Sequence, residues 1–137
     1  MINKKGKKEH PSIDEWLREA KTDPLAAQVG MFLVHNGIVR QTPKAMVRQG
    51  VDDGSTVKRM EFYYNAGKVE EAVAETYQMD GISYIRVWLN EGLLEVGDDI
   101  MYLLIGGDIR PHVVDALQFL VGKIKTECVT EIEQTAD

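Results

Sequence analysis

Two rhythms of apolar and polar positions run through this chain, and the places where one gives way to the other mark its elements. Ile13, Trp16, Leu17 and Ala20 recur at three- and four-residue spacing, which predicts a short helix over 11–20. Ser12 and Glu15 form a capping box at its start, and Thr22-Asp23-Pro24 stops it. Over 28–40 the apolar residues are nearly continuous (Val29, Met31 to Val34, then Ile38 and Val39), which predicts a strand interrupted at Asn36-Gly37. A bulge or a tight hairpin turn fits there, and the bulge is preferred because the apolar pattern resumes at once. Positions 43–56 are polar and turn-rich, with Gly50 and Asp52-Asp53-Gly54, and predict a mobile loop. A strand follows over 57–64, then a helix over 69–78 carried by Val69, Ala72, Val73 and Thr76 or Tyr77, then a strand over 82–89. After a turn over 92–99 comes an apolar strand, 100–105, and a Gly106-Gly107-Asp108-Ile109-Arg110-Pro111 corner. The last helix, about 111–126, opens on Pro111 and carries a stripe of Val113, Val114, Leu117, Val121 and Ile124 with Leu120 on its edge. The remainder, 127–137, is weakly patterned and predicts at most an edge strand.

This order predicts a single α+β domain over 11–137, with a mixed, mostly antiparallel sheet and flanking helices, behind a basic disordered tail over 1–10. The length of 137 residues supports one core and not two. No apolar run approaches the roughly 18 residues of a membrane helix, and the lysines of 1–10 precede no apolar segment of a secretory signal. A single cysteine, Cys128, rules out an internal disulfide framework and fits a reducing cytoplasm. The net charge is −6, and because Lys4, Lys5, Lys7 and Lys8 sit together at the start, the body is more acidic still. Such a body is a poor general binder of nucleic acid.

The chemistry-bearing residues are few. No phosphate loop of Walker or dinucleotide type is present, and His10, His35, His112 and Cys128 have no zinc spacing. Arg40, Arg110 and Lys125 remain as a candidate anion site. Arg110 stands at a helix start, where free N–H groups favour an anion, and Gly106 and Gly107 would allow close backbone approach to a ligand. From spacing alone the three read first as surface charges at element ends. His35 reads as a half-buried polar residue, His112 as solvent-facing, and Cys128 as a small buried or edge residue.

Taken together, these pieces resemble the large, catalytic subunit of molybdopterin synthase. The resemblance covers about 29–126. It rests on the Gly30-led apolar strand ending in Gly37-Ile38-Val39-Arg40, on Gly92-x-Leu94-x-x-Gly97-Asp98, and on Arg110 with the helix of Ala116, Gln118-Phe119 and Lys125-Thr126. It implies an α/β-hammerhead-like fold, a homodimer, and a heterotetramer with a small ubiquitin-like sulfur-carrier subunit. That subunit's Gly-Gly C-terminus carries a thiocarboxylate. The implied reaction transfers sulfur to cyclic pyranopterin monophosphate, forming the molybdopterin dithiolene without metal or other cofactor. Arg40 and Arg110 match residues expected to bind the substrate phosphate, and Lys125 matches the catalytic lysine. The family's histidine before Arg110 is Ile109 here, and its second lysine aligns with Ile132. The basic segment around that lysine has become Glu127, Glu131 and Glu133. His112, one turn along, is the candidate substrate-binding replacement for the histidine. A non-catalytic paralogue that binds a Gly-Gly-tailed sulfur carrier as scaffold or regulator is the alternative reading.

Overall fold

The computed structural model describes residues 8–50 and 54–136. The predicted basic tail lies outside these for residues 1–7. In chain order the elements are α1 (Ile13–Ala20), β1 (Met31–Ile38), α2 (Lys44–Gln49), β2 (Thr56–Tyr64), α3 (Ala66–Tyr77), β3 (Ile82–Leu89), β4 (Gly92–Glu95), β5 (Asp99–Gly107), α4 (Arg110–Lys123) and β6 (Val129–Ala136). A π-helical turn, Ile124–Cys128, joins the last two.

The strands form two three-stranded antiparallel sheets, ordered β1-β5-β3 and β4-β2-β6. Strand β5 is central in the first sheet and is covered on both faces, which is why it reads as a continuous apolar run. Its side chains alternate between two cores. Met101, Leu103 and Ile105 join the main core, under α3 and α4, while Leu104 and Tyr102 join Trp16 and Ala20 of α1 on the opposite face. The Ser12 hydroxyl accepts the Glu15 N–H at 3.3 Å, so α1 starts where its capping box predicts. The Asn36-Gly37 interruption is a bulge, as preferred: the β1–β5 register shifts between Gly37 and Ile38.

Four features differ from the sequence reading. The polar segment after Pro43 contains helix α2, closed by Gly50 at φ 69°. Its first N–H, on Lys44, donates to both carboxylate oxygens of Glu133 at 3.1 and 3.2 Å, a tertiary cap that local pattern does not reveal. Part of the predicted 92–99 turn is strand β4, which pairs with β2. The stripe of α4 is centred on Val113, Ala116 and Leu120, all fully buried, with Val114 and Leu117 only half-buried. Finally, Lys8 and His10 pack on the domain. Lys8 Nζ donates to the Tyr64 hydroxyl and to Leu89 O, each at 2.8 Å, and His10 pairs with Asp99.

The glycine corner is structural. A Cβ on Gly106 would lie 2.6 Å from Phe32 Cε1, and one on Gly107 would lie 2.8 Å from Val113 Cγ2. Gly106 is therefore needed for packing within the first sheet, beside Phe32 and Tyr84, and Gly107 for packing against α4, and neither offers backbone to a ligand as the sequence suggested.

Candidate functional site

The first sheet and α4 together decide which charges can meet. Arg40 follows β1 at the end where Ile38 pairs with Asp99, the start of β5. Strand β5 then runs the length of the sheet to Gly107, roughly 27 Å at 3.4 Å per residue. Helix α4 and the π turn run back, so Lys125 returns to the end of the sheet where Arg40 lies. Arg110 and His112 remain at the other end, about 20 Å away along the helix at 1.5 Å per residue.

The result is a cleft of about 110 Å³ lined by Arg40, Lys44, Arg48 and Lys125, with Glu131 and Glu133 and an apolar wall of Ile38, Val47, Met60 and Ile100. Ile38 and Val47 are half or more exposed, at 50% and 56%, so the wall is bare at the rim. Arg40 Nε donates to Thr42 O at 3.0 Å. Among the described residues neither Arg40 nor Arg48 has a carboxylate partner, which leaves two exposed guanidiniums free to face an anion. A wider open groove of about 780 Å³, lined by Gln41, Lys58, Arg59, Glu95 and Gln134 among others, gathers no comparable set of cations.

Deeper in the cleft, one carboxylate joins two lysines. Glu131, 5% exposed, accepts from Lys125 Nζ on one oxygen and from Lys44 Nζ on the other, at 3.1 Å for the latter. Burial pushes the Glu131 carboxyl up, but the hydrogen bonds and charges of Lys125 and Lys44 outweigh it and hold the group below its ordinary value. Of the residues that the sequence marked as an acidic liability, Glu131 is thus the partner of two of the site's cations, Glu133 accepts the Lys44 backbone N–H, and Glu127 pairs with Lys123 outside the cleft. Ile132, between Glu131 and Glu133, turns away from the cleft and lies opposite Glu61 on β2, 48% exposed.

At the far end, Arg110 is exposed at the first position of α4. The α4 start already has its own anion. Asp108 accepts the Ile109 N–H and pairs with His112 Nδ1, each at 2.7 Å. The His112 hydrogen bond is the main cause holding the Asp108 carboxyl below its ordinary value. Within one chain, the convergence of Arg40, Arg110 and Lys125 expected from sequence therefore fails for Arg110, and with it for His112. Lys44 and Arg48 were missed because they sit in a segment that reads as loop. Pro43 before and Gly50 after it were the available signals for a short helix.

His35 is half-buried on the face of β1 that carries Leu33 and Gly37. Burial and then the Lys125 charge depress its pKa, so the imidazole is neutral near pH 7. Cys128 is buried, and burial followed by the Glu127 charge pushes its thiol up, away from the reactive thiolate. Among the described residues no group of three or more His, Cys, Asp or Glu is placed to hold a metal ion, and no helix is long and apolar enough to cross a membrane.

The family model described as MoaE protein matches residues 7–127. The chain belongs to the MoaE family. That family is the molybdopterin synthase large subunit, as the motifs around Arg40 and Lys125 suggested. The fold agrees with solved MoaE-type structures. Molybdopterin synthase from Staphylococcus aureus superposes with a TM-score of 0.70 at 18% identity, covering 93% of this chain and 88% of that one. The MoaE protein from Burkholderia ambifaria gives 0.68 at 17% identity, covering 94% and 84%. The complex of subunits 1 and 2 of the molybdopterin-converting factor from Helicobacter pylori gives 0.61 at 15% identity, covering 90% and 78%. No curated protein sequence matches this chain. As a MoaE family member it has the single α+β domain with antiparallel sheets and flanking helices that the residue pattern predicts.

Proposed function

We propose that this protein acts in molybdenum cofactor biosynthesis as the large subunit of a molybdopterin synthase. It would transfer sulfur from the thiocarboxylated Gly-Gly tail of a small ubiquitin-like subunit to cyclic pyranopterin monophosphate. Family membership carries the assignment to the pathway. The observation that supports chemistry at this site is the meeting of Arg40, Lys44, Arg48 and Lys125 in one cleft with an apolar wall. A flat heterocycle with an anionic group suits a wall of Ile38 and Val47 beside two exposed guanidiniums. A volume of about 110 Å³ is well below that of typical small-molecule sites, so the deep part suits a slim tail and the rim the pterin.

Lys125 is the catalytic group in this reading. The thiocarboxylate sulfur displaces an oxygen substituent from the pterin side chain to give a thioester; water then adds to the acyl carbon, negative charge gathers on its oxygen, and the acyl carbon–sulfur bond breaks to leave a thiolate on the pterin and a carboxylate on the tail. A fixed ammonium in a partly dehydrated cleft stabilises that charge. The small-subunit partner is in keeping with the two-subunit complex of the Helicobacter pylori factor. Arg110 and His112 lie too far from Lys125 to share its ligand within one chain. Any part they take comes from a second copy, in keeping with a homodimer and hence a heterotetramer with two small subunits.

The test is product formation. The protein, a thiocarboxylated MoaE-partner subunit and the pterin precursor should yield dithiolene product by mass spectrometry, and Lys125→Ala should abolish it. Wild-type protein that yields no product yet binds the carrier would return the assignment to the non-catalytic alternative. Failure to bind carrier and precursor alike would refute both.

A further inference from the structure

The two lysines on Glu131 define a carboxylate-sized position. Lys125 Nζ meets one oxygen of the group and Lys44 Nζ the other, from two elements far apart in sequence, the π turn and α2. The ligand proposed above ends in a group of the same shape and charge, a planar terminal carboxylate or thiocarboxylate. Position 132, where the resemblance places a second lysine, faces outward here. The cleft nevertheless contains a second ammonium, and it belongs to Lys44.

We infer that Lys44 is the second lysine of this site, and that Lys44 and Lys125 together grip the terminal carboxylate of the incoming tail where Glu131 sits in the empty protein. This inference rests on the sulfur-transfer reading and assigns a residue to it. Exchange of one carboxylate for another keeps one negative charge between the two ammoniums. Glu131 then acts as a resident competitor, which lowers affinity for the tail and keeps the lysines paired when no tail is bound. Lys44 can be replaced without unmaking α2. The contact that starts the helix is from its backbone N–H to Glu133, and its side chain is 40% exposed.

A peptide ending in Gly-Gly, prepared as the free acid and as the C-terminal amide, separates carboxylate recognition from other contacts. Wild-type protein should bind the acid about tenfold or more tightly than the amide, as charge-assisted hydrogen bonds imply. Lys44→Ala should lose most of that preference with an unchanged circular dichroism spectrum, and Lys44→Arg should restore part of it. Glu131→Gln should bind the acid several-fold more tightly than wild type. In the synthase assay, Lys44→Ala should slow product formation about tenfold or more. The inference is overturned if wild type binds acid and amide equally or binds neither. It is also overturned if Lys44→Ala keeps the full acid preference, or if Glu131→Gln binds no more tightly than wild type. Failure of the sulfur-transfer reading shows separately, as absence of dithiolene product from wild type.

Discussion

Replacing Glu131 by glutamine isolates the electrostatic part of the cleft, because the side chain keeps its shape and loses its charge. In the native protein the carboxylate is 5% exposed, Lys125 is 26% exposed and Lys44 40%. Breaking a fully buried pair costs about 3–5 kcal/mol. Surface pairs are worth about 0–1 kcal/mol. With one partner buried and two partly wet, the expected loss lies between, about 2 kcal/mol at pH 7. For small proteins the urea slope is about 1–3 kcal/mol per molar, so the midpoint should fall by about 1 M. The pH dependence is sharper evidence. The folded carboxyl titrates below its ordinary 4.5, so its stabilisation is present above that value and is lost as pH falls through the folded pKa. The gap between wild type and Glu131→Gln should therefore be full above the ordinary carboxylate value and close as pH falls through the folded one. Equilibrium urea denaturation followed by Trp fluorescence at a series of pH values measures it. A variant as stable as wild type at pH 7, with the same acid limb, would show that the two lysines draw nothing from Glu131.

Two further outcomes follow from the same structure. His35 has a depressed pKa, so native protein should lose stability as pH falls below 6.5 toward the folded value, and His35→Leu should flatten that slope in the same denaturation series. Gly106→Ala places a methyl 2.6 Å from Phe32 and should cost about 1–3 kcal/mol by overpacking, read as a lower melting temperature in calorimetry.

How much was legible depends on whether an element's reason is local. The α1 cap, the β1 bulge, the doubly buried β5 and the apolar side of α4 are all written in neighbouring residues, and pattern reading finds them. Helix α2 has no side-chain cap of its own and six residues of mixed polarity. Its start is satisfied by Glu133, a residue 89 positions away, so nothing nearby announces it. The π turn was not legible either: Ile124 continues the apolar stripe, and the turn ends at Cys128, whose carbonyl accepts the distant Asn65 N–H at 2.8 Å. For the site, the resemblance grouped Arg40 with Lys125, and a strand going out with a helix coming back is what brings the two to one cleft. The separation of Arg110 from Lys125 was legible too, because the helix expected over 111–126 already sets them a helix length apart; it was the resemblance that grouped them. Glu131 and Glu133 were misread because charge sign was visible and pairing was not.

The two-residue repeat of β6 carries one more consequence. Glu131 and Glu133 share the inner side, and Ile132 shares the outer side with its neighbour Glu61. A basic side chain reintroduced at 132 would dock on Glu61 in open water and leave the interior charge untouched. Ordinary point replacements on that outer row are thus silent to the chemistry within. Insertion or deletion of an odd number of residues between the π turn and β6, by contrast, would turn the acids outward, bring the isoleucine in, and strand two ammoniums beside it.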